Sequence, residues 1–268
     1  WLAFVAALLF GIHPLQVEAV CAIGYRADLL AVFFLLAALG CFLRGKTASG
    51  KKAVPLFAAA AFLFAGALFS KESAAVFPLL LLLLDWPEGT AGTRKRYLAI
   101  VFILGFYLGL YGFVFRNQAL SHLQLMGGGI VAHVGFALKI LGHYVTAFLL
   151  PWSVKALPPV FPAEVSTVLS NADWLGLAAL VAAVALAVKK FPSRELRFGL
   201  AWFLIAYLPV SNLMPLVSPL AYRFFYLPSV GLCVAAACGL QVFGKKFLGR
   251  YKNYLVLLVA VICGLWSF

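Results

Sequence analysis

The chain has 268 residues, of which 65% are hydrophobic and 11% charged, with a mean hydropathy of +1.05 and a formal net charge of +13. Soluble domains carry roughly 25% charged residues, so a water-covered globule is excluded, and the same hydrophobicity excludes a disordered chain. The apolar runs are long and unbroken, as at 29–42 and 97–115, which argues against a barrel of alternating segments of about ten residues and for an all-α, polytopic transmembrane helical bundle.

Fifteen of the 21 Lys and Arg residues fall in four short clusters: Arg44, Lys46, Lys51 and Lys52; Arg94, Lys95 and Arg96; Lys189, Lys190, Arg194 and Arg197; and Lys245, Lys246, Arg250 and Lys252. Each separates two apolar runs, which is the positive-inside pattern and predicts four cytoplasmic loops. The basic charge is thus a topology signal, and no nucleic-acid partner is expected. With those loops fixed, the crossings follow by parity: 1–12 outward, 28–43 back, 54–70 out, 73–86 back, 97–115 out, 174–188 in, 198–215 out, 224–243 in and 254–268 out. That makes about nine spanning helices.

Residues 117–173 are predicted to stay outside, with 130–150 as an interfacial or re-entrant helix whose partly polar face carries His133, Lys139 and His143. The turn of Gly127, Gly128 and Gly129 before it and the Pro-rich stretch 151–162 after it suit a folded external loop. Residues 1–268 read as one membrane domain without an internal repeat. Both ends lie inside apolar runs, so a piece of a longer chain is expected. Cys21, Cys41, Cys233, Cys238 and Cys263 are scattered without metal or disulfide spacing.

The remaining charges are the informative ones. Arg26, Lys71, Arg116, Lys139, Lys155 and Arg223 lie outside the basic loops and are predicted external. So are Glu18, Asp28, Glu72, Glu164 and Asp173, and the histidines His13, His122, His133 and His143. Ionisable residues at membrane depth are costly and mark functional sites by default. Three junctions concentrate them: His13 to Glu18 followed by Arg26 and Asp28; Ser70-Lys71-Glu72; and Tyr222-Arg223-Phe224-Phe225. If these converge, Arg26, Lys71 and Arg223 suit a lipid-linked phosphate. Glu18, Asp28 and Glu72 suit a base for an acceptor hydroxyl, or ligands to a divalent metal. His13, Tyr222 and Lys139 are auxiliary candidates. Each has a plain structural reading beside this one: helix-end pairs, a polar turn, a snorkelling arginine in an aromatic belt, and a histidine at a helix end.

His13-Pro14 with Glu18-Ala19-Val20 and Gly24-x-Arg26-Ala27-Asp28-Leu29-Leu30, then Ser70-Lys71-Glu72 with Pro78 and Asp85, then Leu208-Pro209-Val210-Ser211-Asn212 with Tyr222 to Gly231, occur in order. Together they resemble the membrane domain of tetratricopeptide-repeat O-mannosyltransferase-like proteins, bacterial relatives in particular. The resemblance implies a GT-C-type glycosyltransferase fold and transfer of a sugar from a polyprenyl-phosphate donor to an acceptor, often a protein hydroxyl. It places the active face on the periplasmic side of a bacterial inner membrane, or the lumenal side of the endoplasmic reticulum in a eukaryote. It also places the catalytic acid in an external loop ahead of the block that opens this chain, and the repeats after the membrane domain. The family often reads Glu-Arg-Tyr around Arg223, and Tyr222 and Phe225 vary from that pattern. The alternatives are a non-catalytic membrane subunit that binds lipid or a partner protein, and a transporter. The latter lacks support from an inverted repeat or a charge within a spanning helix.

Overall fold

The computed structural model describes residues 1–48, 50–85, 94–114, 129–151, 154, 169–189, 193–216, 218–243 and 261. Arg116, His122, Lys155, Glu164, Cys263, the basic cluster at 245–252 and all of the last predicted crossing except residue 261 lie outside them. No strand occurs among the described residues. The chain forms two compact units, Trp1–Ile23 with Gln124–Phe268, and Gly24–Leu123.

In the first unit, α1 (Leu2–Ile12) is apolar all round. It ends at Pro14, which cannot donate a helical hydrogen bond. The His13 side chain accepts the Leu15 N–H at 3.2 Å and starts a short 3₁₀ turn, Pro14–Gln16, that leads into α2 (Val17–Cys21). The chain bends by 57° there. Among the described residues, four longer helices also belong to the unit: α7 (Ile130–Leu149), α8 (Asp173–Lys189), α9 (Arg194–Tyr207) and α10 (Tyr226–Phe243). Ser193 caps α9 by accepting the Leu196 N–H.

The pairings in this unit rest on small residues. Lipid tails are as apolar as leucine, so helices in a membrane associate through close backbone packing. A side chain on Gly231 of α10 would meet Phe203 N at 2.6 Å, and one on Gly199 of α9 would meet Gly231 O at 2.6 Å and Ala235 N at 2.8 Å. A Cβ on Gly142 of α7 would strike the Asp173 carbonyl at the start of α8, and one on Gly176 of α8 would strike Thr146 of α7. Val5, Ala6 and Leu9 of α1 pack on Cys233 and Ala237 of α10, one turn apart on each helix.

The second unit is built on a hairpin of α3 (Arg26–Thr47) and α4 (Ala53–Ser70). Asp28, Ala31, Val32, Leu35, Ala38, Phe42 and Gly45 form the buried stripe of α3, at the three- and four-residue spacing of one helix face. The connecting turn needs a left-handed residue and has it in Gly50, at φ +60°. A 3₁₀ segment, Glu72–Val76, then leads to α5 (Phe77–Asp85), and α6 (Arg94–Val114) follows. Leu98, Val101, Phe102, Phe106 and Phe113 of α6 are exposed, as side chains facing lipid would be.

Among the described residues, five helical stretches are long and apolar enough to cross a membrane: Ile23–Thr47, Gly50–Ser70, Tyr97–Val114, Ile130–Leu149 and Tyr222–Val242. Counting the bent pair of α1 and α2 makes six. This is fewer than the nine crossings expected. The difference lies in α5, α8 and α9, which have 9, 17 and 14 residues, and in the final segment, of which only residue 261 is described. Helix α7, expected to lie in the interface, has the length and apolarity of a span. Its His133 and His143 are buried rather than displayed on a polar face, and Lys139 is half-buried.

Gly231→Val should force α9 and α10 apart and cost about 1–3 kcal/mol, as overpacking does. Gly40→Ala on α3, with nothing within 4 Å of the added carbon, should be neutral or stabilising. Thermal unfolding in detergent measures both, and equal midpoints would mean that the α9–α10 contact is not close-packed.

Candidate functional site

The sequence's first junction divides between the units: Glu18 belongs to one, Arg26 and Asp28 to the other. In the first unit, Glu18 of α2 meets the 3₁₀ turn Tyr222–Phe225 that opens α10. Its Oε2 accepts the backbone N–H of Tyr222 at 2.7 Å and that of Arg223 at 3.4 Å, and its Oε1 accepts from Arg223 Nη1 at 2.5 Å. The first N–H groups of a helical segment have no partner within it, so a carboxylate there satisfies orphan donors and the segment's positive end together. Arg223 also lies over the Phe224 ring, 4.9 Å from its centroid. The arginine side chain remains 16% accessible and the Glu18 side chain 6%.

The same turn is gripped from α7. Tyr144 Oη donates to the Ala221 carbonyl at 2.9 Å and accepts the Ala221 N–H at 3.0 Å. The residue before it, His143, bonds the Tyr222 hydroxyl through Nε2 at 3.3 Å and the Asp173 carboxylate through Nδ1 at 3.1 Å. Asp173 Oδ2 accepts the Ser170 N–H at 2.6 Å. This row of polar groups is possible because Gly142, beside His143, admits the start of α8 to backbone contact.

The loop that delivers Tyr222 is shaped by Ser211 and Asn212. Ser211 Oγ donates to the Leu208 carbonyl at 2.7 Å. Asn212 takes φ +56°, a left-handed conformation that Asn tolerates, and its Nδ2 donates to the Pro219 carbonyl at 2.6 Å. His13 is buried, stacked on Phe148, with Nε2 3.0 Å from the Phe148 carbonyl oxygen. Both of its ring nitrogens are thus engaged with backbone groups of the same unit.

In the second unit, Lys71 turns inward from the end of α4 and pairs with Asp28, in the first turn of α3. Glu72 points outward and is exposed, and so is Arg26. At the other end of α3, the fully buried Asp85 accepts from Lys46 Nζ at 2.5 Å and from Tyr97 Oη at 2.6 Å. The structure therefore joins Glu18 with Arg223 and Tyr222, and Asp28 with Lys71, but leaves Arg26, Glu72 and Lys139 outside both groups. Among the described residues no three His, Cys, Asp or Glu side chains gather closely enough to hold a metal ion.

Sequence reasoning misses His143 with Asp173, and Asp85 with Lys46 and Tyr97. The local pattern puts His143 on a water-facing stripe and Lys46 in a topology cluster. The signal available is the same for all: an ionisable residue next to or inside an apolar run requires a partner.

The chain is similar to proteins named protein O-mannosyl-transferase TMTC4, at 29% identity over 311 residues for Homo sapiens and 28% over 312 residues for Mus musculus. A protein O-mannosyl-transferase of Caenorhabditis elegans is 26% identical over 271 residues. These alignments cover 97–98% of this chain but only 37–41% of the relatives, so the chain spans well under half of their length. The similarity agrees with the resemblance carried by the three motif blocks. No family profile matches the chain, and no solved structure does.

Removing one member of a buried ion pair strands the other charge, so Glu18→Ala should destabilise the protein by about 3–5 kcal/mol. Arg26→Ala, at an exposed position, should change stability by less than about 0.5 kcal/mol. Chemical denaturation in detergent checks both, and a mild Glu18→Ala variant would show that the carboxylate is not needed to satisfy the turn.

Proposed function

We propose that this chain is the membrane portion of a glycosyltransferase that moves a sugar from a polyprenyl-phosphate carrier to a protein hydroxyl. The reaction would take place at the external face, periplasmic or lumenal. The observation that carries the reading is Arg223: a guanidinium held by Glu18 at the opening of a membrane helix, in a chain similar over nearly its whole length to named protein O-mannosyl-transferases. A carrier phosphate lies at the membrane boundary, and its charge rises as the glycosidic bond breaks. A preorganised guanidinium, fixed before the reaction, stabilises that charge without reorganising. Its planar fork also suits phosphate oxygens better than a flexible ammonium.

Glu18 and Asp28 then serve as positioning carboxylates, each committed to a cation, and not as the base that activates the acceptor. In the other unit, taken by itself, Lys71 and Arg26 are separate candidates for a lipid phosphate, and Glu72 for contact with headgroups or acceptor. The acid that activates the acceptor hydroxyl is sought in the loop that the family resemblance places ahead of this block. The partners are membrane lipid, the lipid-linked sugar and a protein acceptor, and the identity of the sugar follows the relatives' names only as far as mannose.

The test is transfer of mannose from polyprenyl-phosphate mannose to protein by the full-length protein in proteoliposomes. Arg223→Ala should lower turnover by about 10²-fold, as loss of one preorganised donor does, and Arg223→Lys should recover part of it. Turnover unchanged in Arg223→Ala would overturn the assignment and favour a subunit that binds lipid or a partner protein without catalysis.

A further inference from the structure

We infer that Asp173, His143 and Tyr222 form a positioning relay whose task is to hold the Arg223 guanidinium in place for the carrier phosphate. The inference rests on the reading of Arg223 given above and deepens it.

The geometry runs in one line. Asp173 is held by the Ser170 N–H on Oδ2 and meets His143 Nδ1 on Oδ1. A carboxylate only accepts, so Nδ1 carries the proton and, in the neutral ring, Nε2 accepts from the Tyr222 hydroxyl. Tyr222 is thereby fixed at both ends, by His143 through its side chain and by Glu18 through its backbone N–H. Arg223 is the next residue, and Glu18 holds its guanidinium and its N–H as well. On the other side, Tyr144 holds both backbone groups of Ala221. Three consecutive residues, Ala221, Tyr222 and Arg223, are thus gripped by Tyr144, His143 and Glu18, and two of those grips come from adjacent residues of α7.

An Asp-His-hydroxyl order invites a catalytic reading, with Tyr222 as the reacting group. Burial decides against it. Tyr222 and Asp173 are each 2% exposed and His143 6%, so a substrate cannot reach the hydroxyl without unpacking the unit. Their action passes through Arg223, which makes them positioning residues. A long, rotamer-rich side chain used for catalysis must be held by surrounding hydrogen bonds, because small misplacements cost large factors in rate. Glu18 fixes the guanidinium from one side, and the relay fixes the backbone from which it projects.

The experiment measures the affinity of the full-length protein for polyprenyl phosphate in lipid nanodiscs. Tyr222→Phe removes one oxygen and leaves the packing in place, so it should fold where His143→Ala could fail. It should weaken binding by roughly 5–10-fold, the range of a coupling between neighbouring groups. In the Arg223→Lys background the same change should cost less than about twofold, because an ammonium has no planar fork to orient. Arg223→Ala alone should weaken binding at least as much as Tyr222→Phe. If Tyr222→Phe binds as the unaltered protein does, or loses as much in the Arg223→Lys background as beside the native arginine, the relay is overturned while the phosphate role of Arg223 stands. If Arg223→Ala binds normally, the phosphate role falls and the relay falls with it.

Discussion

One carboxylate organises the polar interior of the first unit. Glu18 lies 204 residues from Tyr222 in the chain and is mostly buried, yet it accepts two backbone N–H groups and a guanidinium N–H. An isolated carboxylate in such surroundings would be expensive to hold ionised, and so would an isolated guanidinium. The pair is tolerable only because each satisfies the other and the turn's orphan donors at once. The residues just before it serve the same join. His13 bonds with the Phe148 carbonyl and Gln16 Nε2 donates to Ser229 Oγ at 2.9 Å, so the bent segment after α1 is tied to α7 and α10 at several points.

The apolar scaffold makes these polar contacts possible through what it omits. Gly142 and Gly176 let α7 and α8 touch backbone to backbone, and Gly199 and Gly231 do the same for α9 and α10. Side chains at those positions would hold the helices apart, and His143 would then lie beyond hydrogen-bonding reach of Asp173. The second unit uses the same economy at both ends of α3. Asp28 in its first turn pairs with Lys71, and Lys46 in its last turn pairs with Asp85. Each charge also suits the helix dipole at its end. A helix pinned by ion pairs at either end, with small and aromatic residues packed between, resists sliding along its neighbour.

Much of the fold was legible because the hydrophobic signal is strong and local. Long apolar runs bounded by basic clusters located nearly every helix, and Pro14 marked the end of the first by its backbone chemistry alone. Helix α7 was harder. Two histidines and a lysine in an apolar stretch look like a wet face, but the period of the buried residues His133, Ala137, Ile140, Tyr144 and Ala147 is that of a packed face. Polar residues there are buried because they have partners, and a partner 30 or 79 residues away, as for His143, leaves no trace in the local pattern. Arg26, Glu72 and Lys139 show the converse: charges adjacent to genuine pairs in the sequence that the structure leaves outside the buried groups.

The sequence by itself determined that this is a helical membrane protein, where its helices lie, and which few charges lie away from the basic loops. Those facts follow from transfer energies and backbone preferences that each residue carries with it. Only the tertiary structure decided which charges meet. Glu18 went to Arg223 and not to the neighbouring Arg26, and Lys71 went to Asp28 and not to the adjoining Glu72. Pairing of buried charges is set by helix packing and by the small residues that permit close approach, and distance along the chain carries no information about either.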